Sequence, residues 1–244
     1  MKVNFENVWQ KIRELFARKG YTCDCCGVEV FDYPTHRICN ECSELLIADN
    51  FARCLKCGRK TVTEGVCLAC KKELPTFDVG ISALSYDGMS AAMINRFKNG
   101  ERYLVEFFCE RMAERMKESG LLSSDLLIVC VPMTKEKKLT RGYNQAEELA
   151  KNLSLKLGLE FDSEVLEKRK ETSEQKHLLR KERQENVKTA FFVHKRAFVR
   201  DKDILLIDDI MTTGATGSAC ARVLKNAGAN KVIFLTAVSL DERK

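Results

Sequence analysis

Four Cys-x-x-Cys pairs between residues 23 and 70 constrain this chain more than any other feature: Cys23/Cys26, Cys39/Cys42, Cys54/Cys57 and Cys67/Cys70. Nine of the twelve cysteines lie in that stretch, with Cys109, Cys130 and Cys220 outside it. In a reducing cytosol such clustering favours metal over disulfide. A two-residue spacer lets both thiolates of a pair reach one tetrahedral ion, with zinc–sulfur bonds of about 2.3 Å. Eight thiolates therefore match two Cys₄ sites, and about two structural Zn²⁺ ions are expected. Iron–sulfur ligation is the alternative chemistry. Glycine follows in Cys26-Gly27 and Cys57-Gly58, where it lets the chain turn tightly around an ion. Sequential and interleaved groupings of the pairs both satisfy the spacing, and Cys25 could replace Cys23 or Cys26. Closed sites of this type hold structure and do not catalyse. In small zinc peptides they supply on the order of 10–16 kcal/mol of apparent free energy, enough to fold a segment without a core.

The cysteine-rich stretch sets the domain boundaries. Residues 1–19 carry Phe5, Val8, Trp9, Ile12, Leu15 and Phe16 at helical spacing and read as an amphipathic helix. It would dock on the protein or a partner; Glu6 and Glu14 interrupt its basic face and weigh against a membrane surface. Residues 20–76 form the metal-held module, ending near Leu74-Pro75, and residues 77–244 form an α/β domain. In that domain Val79–Tyr86, Leu126–Val131, a segment closing at Val165, Ala190–Val193, Asp203–Ile207 and Lys231–Val238 read as strands. Helices are expected within 90–117 (broken near Asn99-Gly100), over Asn144–Leu157 and over Ala215–Asn226. The alternation predicts a mainly parallel sheet with helices on both faces.

No apolar run approaches the roughly 18 residues that span a bilayer. Lys11, Arg13, Glu14, Arg18 and Lys19 interrupt any leader-like segment, so a cytoplasmic chain is expected. The formal charge of +6 has a location: residues 134–202 hold 18 Lys and Arg against 12 Asp and Glu, while the rest balances at 23 against 23. That middle segment is where an anion would bind, unless it is simply a solvated basic loop.

Ile204-Leu205-Leu206-Ile207 is a continuous apolar run suited to a buried parallel strand. Asp208 and Asp209 follow it, where ligands bind in open α/β sheets. Two adjacent carboxylates there can accept from two neighbouring hydroxyls, as on a ribose. Met211-Thr212-Thr213-Gly214-Ala215-Thr216 then leads into a helix. Small residues let the backbone curl around a phosphate, threonine hydroxyls donate to it, and the helix N-terminus favours its charge. The segment lacks the Gly-Lys-Ser/Thr of a nucleotide P-loop.

The string ILLIDDIMTTGAT resembles the phosphoribosyl-pyrophosphate signature of type I phosphoribosyltransferases. Val131-Pro132-Met133 followed by Arg141-Gly142-Tyr143-Asn144-Gln145 resembles the VP…RGFNQ segment of the ComF family, with Tyr143 in place of the commoner Phe. Gln175, Arg183, Asn186 and Ala190-Phe191 resemble that family's Q…R…N…AF stretch, and the preceding cysteine pairs also fit. The resemblance covers roughly residues 20–240 and implies a type I phosphoribosyltransferase-like domain behind a zinc module. By that resemblance Asp208 and Asp209 would hold the ribose hydroxyls, and Met211, Thr212, Thr213, Gly214, Ala215 and Thr216 the 5-phosphate. Met133 and Arg141 would lie near the pyrophosphate. Segment 167–188 would close over the site, with Arg180, Lys181 and Arg183 as its anion contacts. Lys98 falls in a segment resembling the family's FK motif.

The implied chemistry is transfer of ribose 5-phosphate from phosphoribosyl pyrophosphate, with Mg²⁺ stabilising the pyrophosphate. No base-recognition hood is identifiable; the cysteine module would occupy that place. Besides a transferase, the resemblance implies two further readings. One is an accessory protein that binds single-stranded DNA and works with DNA-uptake proteins in natural competence. The other is a regulator that senses phosphoribosyl pyrophosphate.

Overall fold

The chain divides into two compact units, Met1–Ile47 and Ala48–Lys244. The structure, a computed structural model, describes residues 21–30, 38–47, 51–168 and 190–241. The helix expected over residues 5–16 lies outside the described residues, as do Gln175, Arg180, Lys181, Arg183 and Asn186.

In the first unit, β1 (Tyr21–Thr22) pairs antiparallel with β2 (Glu29–Val30), and α1 spans Asn40–Ile47. The second unit begins with α2 (Leu68–Lys72), β3 (Val79–Ser85), α3 (Gly88–Lys98) and α4 (Val105–Glu118). A short 3₁₀ turn at Arg102–Leu104 separates α3 from α4. Next come β4 (Leu127–Cys130), α5 (Lys135–Arg141), α6 (Gln145–Leu157), β5 (Glu160–Phe161) and β6 (Leu166–Lys168). The last elements are β7 (Phe191–Val193), α7 (Arg196–Val199), β8 (Asp203–Met211), α8 (Ala215–Asn226) and β9 (Lys231–Ser239).

Among the described residues the main sheet has five strands in the order β3-β9-β8-β4-β5, every pair parallel. Parallel strands need helices on their faces, so the central ones carry continuous apolar runs: Ile204–Ile207 and Leu127–Ile128 are fully buried. Helices α4 and α6 pack on each other; α4 covers β3 and β9, and α6 covers β8 and β4. Helix α8 packs on β8, β9 and β7. The connections from β3 to β4 and from β4 to β5 run one way across the sheet, while β8 to β9 runs the other. With right-handed crossovers, opposite directions put α8 on the face opposite α4 and α6.

The sequence reading and the structure differ at several elements. Asp203–Ile207 extends to Met211, because β9 continues to Ser239 and pairs with it throughout. The strand placed to end at Val165 becomes two short ones, since Asp162 Oδ1 accepts from the Glu164 amide at 2.8 Å and turns the chain. Strand β6 then leaves the main sheet and pairs antiparallel with β7. Helix α5 was unforeseen. None of its residues is buried, so it carries no apolar period; Thr134 caps it and left-handed Gly142 ends it. The two compact units divide between Ile47 and Ala48, before Cys54. The Gly80 amide donates to the Lys56 carbonyl at 2.8 Å, which anchors the second half of the cysteine-rich stretch to β3.

Candidate functional site

Ligands of open α/β sheets bind where neighbouring strands send their connections in opposite directions. Here that point lies between β4 and β8. Their pairing stops at Cys130 with Ile207, one last bond running from the Val131 amide to the Ile207 carbonyl at 2.9 Å. Beyond it, among the described residues, β8 has β9 alone as a strand partner, Asp208 standing beside Thr236. The two strands part there, Pro132 and Met133 continuing from β4 and Asp208 and Asp209 from β8.

Both aspartates are half-buried. Asp208 Oδ1 accepts from the Asp209 amide at 2.9 Å, and Asp209 Oδ1 from the Ile210 amide at 2.6 Å. Lys98, the last residue of α3, reaches Asp209 Oδ2 with its Nζ at 3.3 Å. Burial, and then the neighbouring Asp209 charge, raise the Asp208 carboxyl well above the ordinary aspartate range; Lys98 offsets only part of this. Such a pair is suited to hydroxyl donors or a cation.

The loop after β8 leaves Thr212, Thr213, Ala215 and Thr216 exposed around buried Gly214. Gly214 adopts φ 83°, a left-handed backbone natural to glycine. A methyl placed there would sit 3.7 Å from the Phe77 ring, so that ring forms the loop's floor. Thr213 Oγ1 accepts from the Ala215 amide at 3.3 Å. The N-terminus of α8, which this loop leads into, favours an anion.

The Arg141–Gln145 segment holds the crevice together from behind. Asn144 Nδ2 donates to the Val131 carbonyl at 3.1 Å, while its Oδ1 accepts from the Ala146 amide at 3.2 Å and caps α6. The Tyr143 hydroxyl donates to the Phe97 carbonyl, and Gln145 Nε2 to the Lys98 carbonyl at 3.5 Å. These two bonds fix the end of α3 and aim Lys98 at Asp209. Tyr143, Asn144 and Gln145 are buried. Arg141 is exposed at the end of α5 and makes no ion pair among the described residues. Met133, with Pro132, Lys135, Lys138, Asn144, Glu147, Lys168 and Lys195, lines a cavity of about 610 Å³ between the β4 turn and the β6–β7 ladder.

The cysteines group sequentially. Cys23, Cys26, Cys39 and Cys42 form one set and Cys54, Cys57, Cys67 and Cys70 the other, with the sulfur atoms of each set within 4.8 Å of one another. Cys25 belongs to neither, and no cysteine forms a disulfide. The second set is fully buried. Burial would raise the Cys54 thiol, yet amides of Cys67, Cys57 and Lys56 bring it down to about 7. Burial and the neighbouring thiolates push Cys70 up instead. Four thiolates this close cannot all ionise without a cation between them, so the donor set fits a tetrahedral metal ion. Gly27 and Gly58 turn the chain at φ 78° and 73°. At Gly58 a Cβ would also lie 2.4 Å from the Gly80 carbonyl oxygen, so only glycine lets this knuckle lie on β3.

The phosphoribosyl transferase domain family matches residues 107–244. Competence protein ComFC of Streptococcus pneumoniae is 30% identical over 204 residues, covering 80% of this chain and 84% of that protein. Competence protein F of Haemophilus influenzae is 27% identical over 202 residues, covering 80% and 87%. DNA utilization protein YhgH of Escherichia coli K12 is 27% identical over 201 residues, again covering 80% and 87%. The chain is a ComF-family protein with a phosphoribosyltransferase domain.

In this ComF-family chain the sequence-predicted residues thus fall into three groups. Asp208, Asp209, Met211, Thr212, Thr213, Gly214, Ala215 and Thr216 run from the end of β8 into the start of α8, while Met133 follows β4 and lines the cavity beside the β6–β7 ladder. Arg141 stands apart on an exposed helix end. Arg180, Lys181 and Arg183 lie outside the described residues, in the segment that joins β6 to β7. Two positions gain a place that sequence did not give them. Lys98 was noted but unassigned, and it pairs with Asp209. Arg59 was not singled out; its Nη2 donates to the Thr212 carbonyl at 3.0 Å, from 153 positions away, and no local pattern signals such a contact.

Proposed function

We propose that this protein binds phosphoribosyl pyrophosphate with Mg²⁺ at the β4–β8 crevice, in the cytoplasm, as part of the handling of incoming DNA. The observation that supports the binding is the adjacent carboxylate pair Asp208–Asp209 beside a glycine-turned loop on the N-terminus of α8. The Asp pair would accept hydrogen bonds from the ribose 2- and 3-hydroxyls. Amides and hydroxyls of Thr212–Thr216 would donate to the 5-phosphate. The β4 turn at Met133 would border the pyrophosphate, and Arg180, Lys181 and Arg183 would approach it from the joining segment. Magnesium bound with the substrate would neutralise charge on the departing pyrophosphate. If the protein transfers the ribosyl group, the Asp carboxylates orient the ring and offset positive charge developing at its anomeric carbon. Zinc in both Cys₄ sets is part of the same reading.

The names of the relatives, competence protein and DNA utilization protein, are what connect the chain to DNA. A second reading, contact with single-stranded DNA, is favoured by the fully exposed helix α5, which presents Lys135, Lys137, Lys138 and Arg141.

Calorimetric titration of phosphoribosyl pyrophosphate in Mg²⁺ tests the site. Wild type should bind, and Asp208→Asn with Asp209→Asn should weaken binding by at least tenfold, since hydrogen bonds to charged groups contribute about 1.5–3 kcal/mol. No heat with wild type, or equal affinity in the double variant, defeats the proposal.

A further inference from the structure

We infer that Arg59 is a positioning residue that couples the second cysteine cluster to the phosphate-gripping loop, so that the metal site sets the shape of the ligand site. This rests on reading Thr212–Thr216 as the phosphate loop.

The observation is a single buried guanidinium with two partners. Arg59 is 6% exposed. Its Nε donates to Cys57 Sγ at 3.2 Å and its Nη2 to the Thr212 carbonyl at 3.0 Å. A buried cation needs compensating charge, and a four-thiolate set around a divalent ion has a net negative charge to offer. The planar fork of arginine lets one side chain serve both acceptors in fixed geometry.

The bond to Thr212 has a stereochemical consequence. In a trans peptide the carbonyl of one residue and the amide of the next point opposite ways. With the Thr212 carbonyl held toward Arg59, the Thr213 N–H is turned to the far side of that peptide plane, away from the metal cluster. Thr213 itself is exposed there. Preorganised amides are what make such a loop grip an anion, because no binding energy is then spent on turning them.

The base from which Arg59 acts is rigid. The Cys57-Gly58 knuckle lies directly on Gly80, and Lys56 Nζ donates to the Phe77 and Asp78 carbonyls at 2.6 and 2.9 Å. Phe77, held by that contact, floors the loop at Gly214. The loop is therefore supported from below by Phe77 and from one side by Arg59. Both supports are tied to the Cys54–Cys70 segment.

The test uses the full chain with zinc bound, and compares wild type with Arg59→Met and Arg59→Lys. Three quantities are read: zinc per chain, amide exchange of Thr213 and Gly214 without ligand, and phosphoribosyl pyrophosphate affinity in Mg²⁺. Both variants should keep two zinc ions. Arg59→Met should exchange these amides at least tenfold faster and bind about tenfold more weakly. Arg59→Lys should fall between, because one ammonium cannot hold both acceptors in fork geometry. In wild type, chelating zinc should lower affinity; in Arg59→Met it should add little further. Wild-type exchange and affinity in either variant that keeps zinc overturn the coupling. If Arg59→Met loses zinc, Arg59→Lys decides. If wild type binds no phosphoribosyl pyrophosphate, the ligand reading fails, while unchanged amide exchange would separately refute the Arg59 link.

Discussion

Replacing Asp208 with asparagine should make the protein more stable while weakening its proposed ligand binding. The two effects have one cause. Asp208 is held among protein atoms beside the Asp209 charge, and both influences raise its carboxyl well above the ordinary range. A carboxyl that holds its proton more tightly when folded adds stability at low pH. That stability is lost as pH rises from the unfolded value through the raised folded one. At neutral pH, where an unfolded-chain carboxyl is ionised, that contribution is lost and the position disfavours the fold. Asparagine keeps the Oδ1 that accepts from the Asp209 amide at 2.9 Å, so little hydrogen bonding is lost. It takes away the titrating group and with it the unfavourable coupling to the Asp209 charge. Single stabilising substitutions commonly contribute roughly 0.5–2 kcal/mol, and this one is expected in that range. For a domain this size that raises the melting temperature by about 1–8 °C. Calorimetric melting at several pH values is the assay. The gain should appear at pH 7 and vanish at acid pH, where wild-type Asp208 is itself protonated. A variant less stable than wild type at pH 7, or a difference that ignores pH, refutes this account of the pair.

Other expectations follow from the same geometry. Tyr143→Phe keeps the edge-on ring contact with Phe97 (centroids 5.8 Å apart) but removes the hydroxyl that binds the Phe97 carbonyl, and should cost about 1 kcal/mol in denaturant titration. Gly217→Leu should unseat α8 at a cost above about 2 kcal/mol, because even a Cβ at that position would lie 2.5 Å from the Phe234 ring; a wild-type midpoint would contradict the packing. Elemental analysis should find about two zinc ions per chain, one for each Cys₄ set. Single-stranded DNA affinity should fall with added salt, and neutralising Lys135, Lys137 and Lys138 together should flatten that dependence.

Sequence carried most of this wherever the signal was local. The apolar run Ile204–Ile207, the left-handed Gly214 and the helix starting at Ala215 are one continuous pattern, and each lies where the pattern put it. Asn144 and Gly158 likewise bracket α6 as cap and stop. The cysteine spacing gave the ligand set, but grouping was left open because spacing says nothing about where pairs meet. Helix α5 escaped because a helix with no buried face has no period to read. The β6–β7 ladder escaped because its two strands are separated by the long segment between them. Arg59 and Lys98 escaped as contacts because their partners, Thr212 and Asp209, are brought near only by the finished sheet.

The most direct test of the whole account is a crystal structure of the full protein with phosphoribosyl pyrophosphate and Mg²⁺. The account predicts ribose hydroxyls on Asp208 and Asp209, the 5-phosphate on the amides and hydroxyls of Thr212–Thr216, and pyrophosphate toward Met133. Ligand bound elsewhere, or a vacant β4–β8 crevice at saturating concentration, would contradict it.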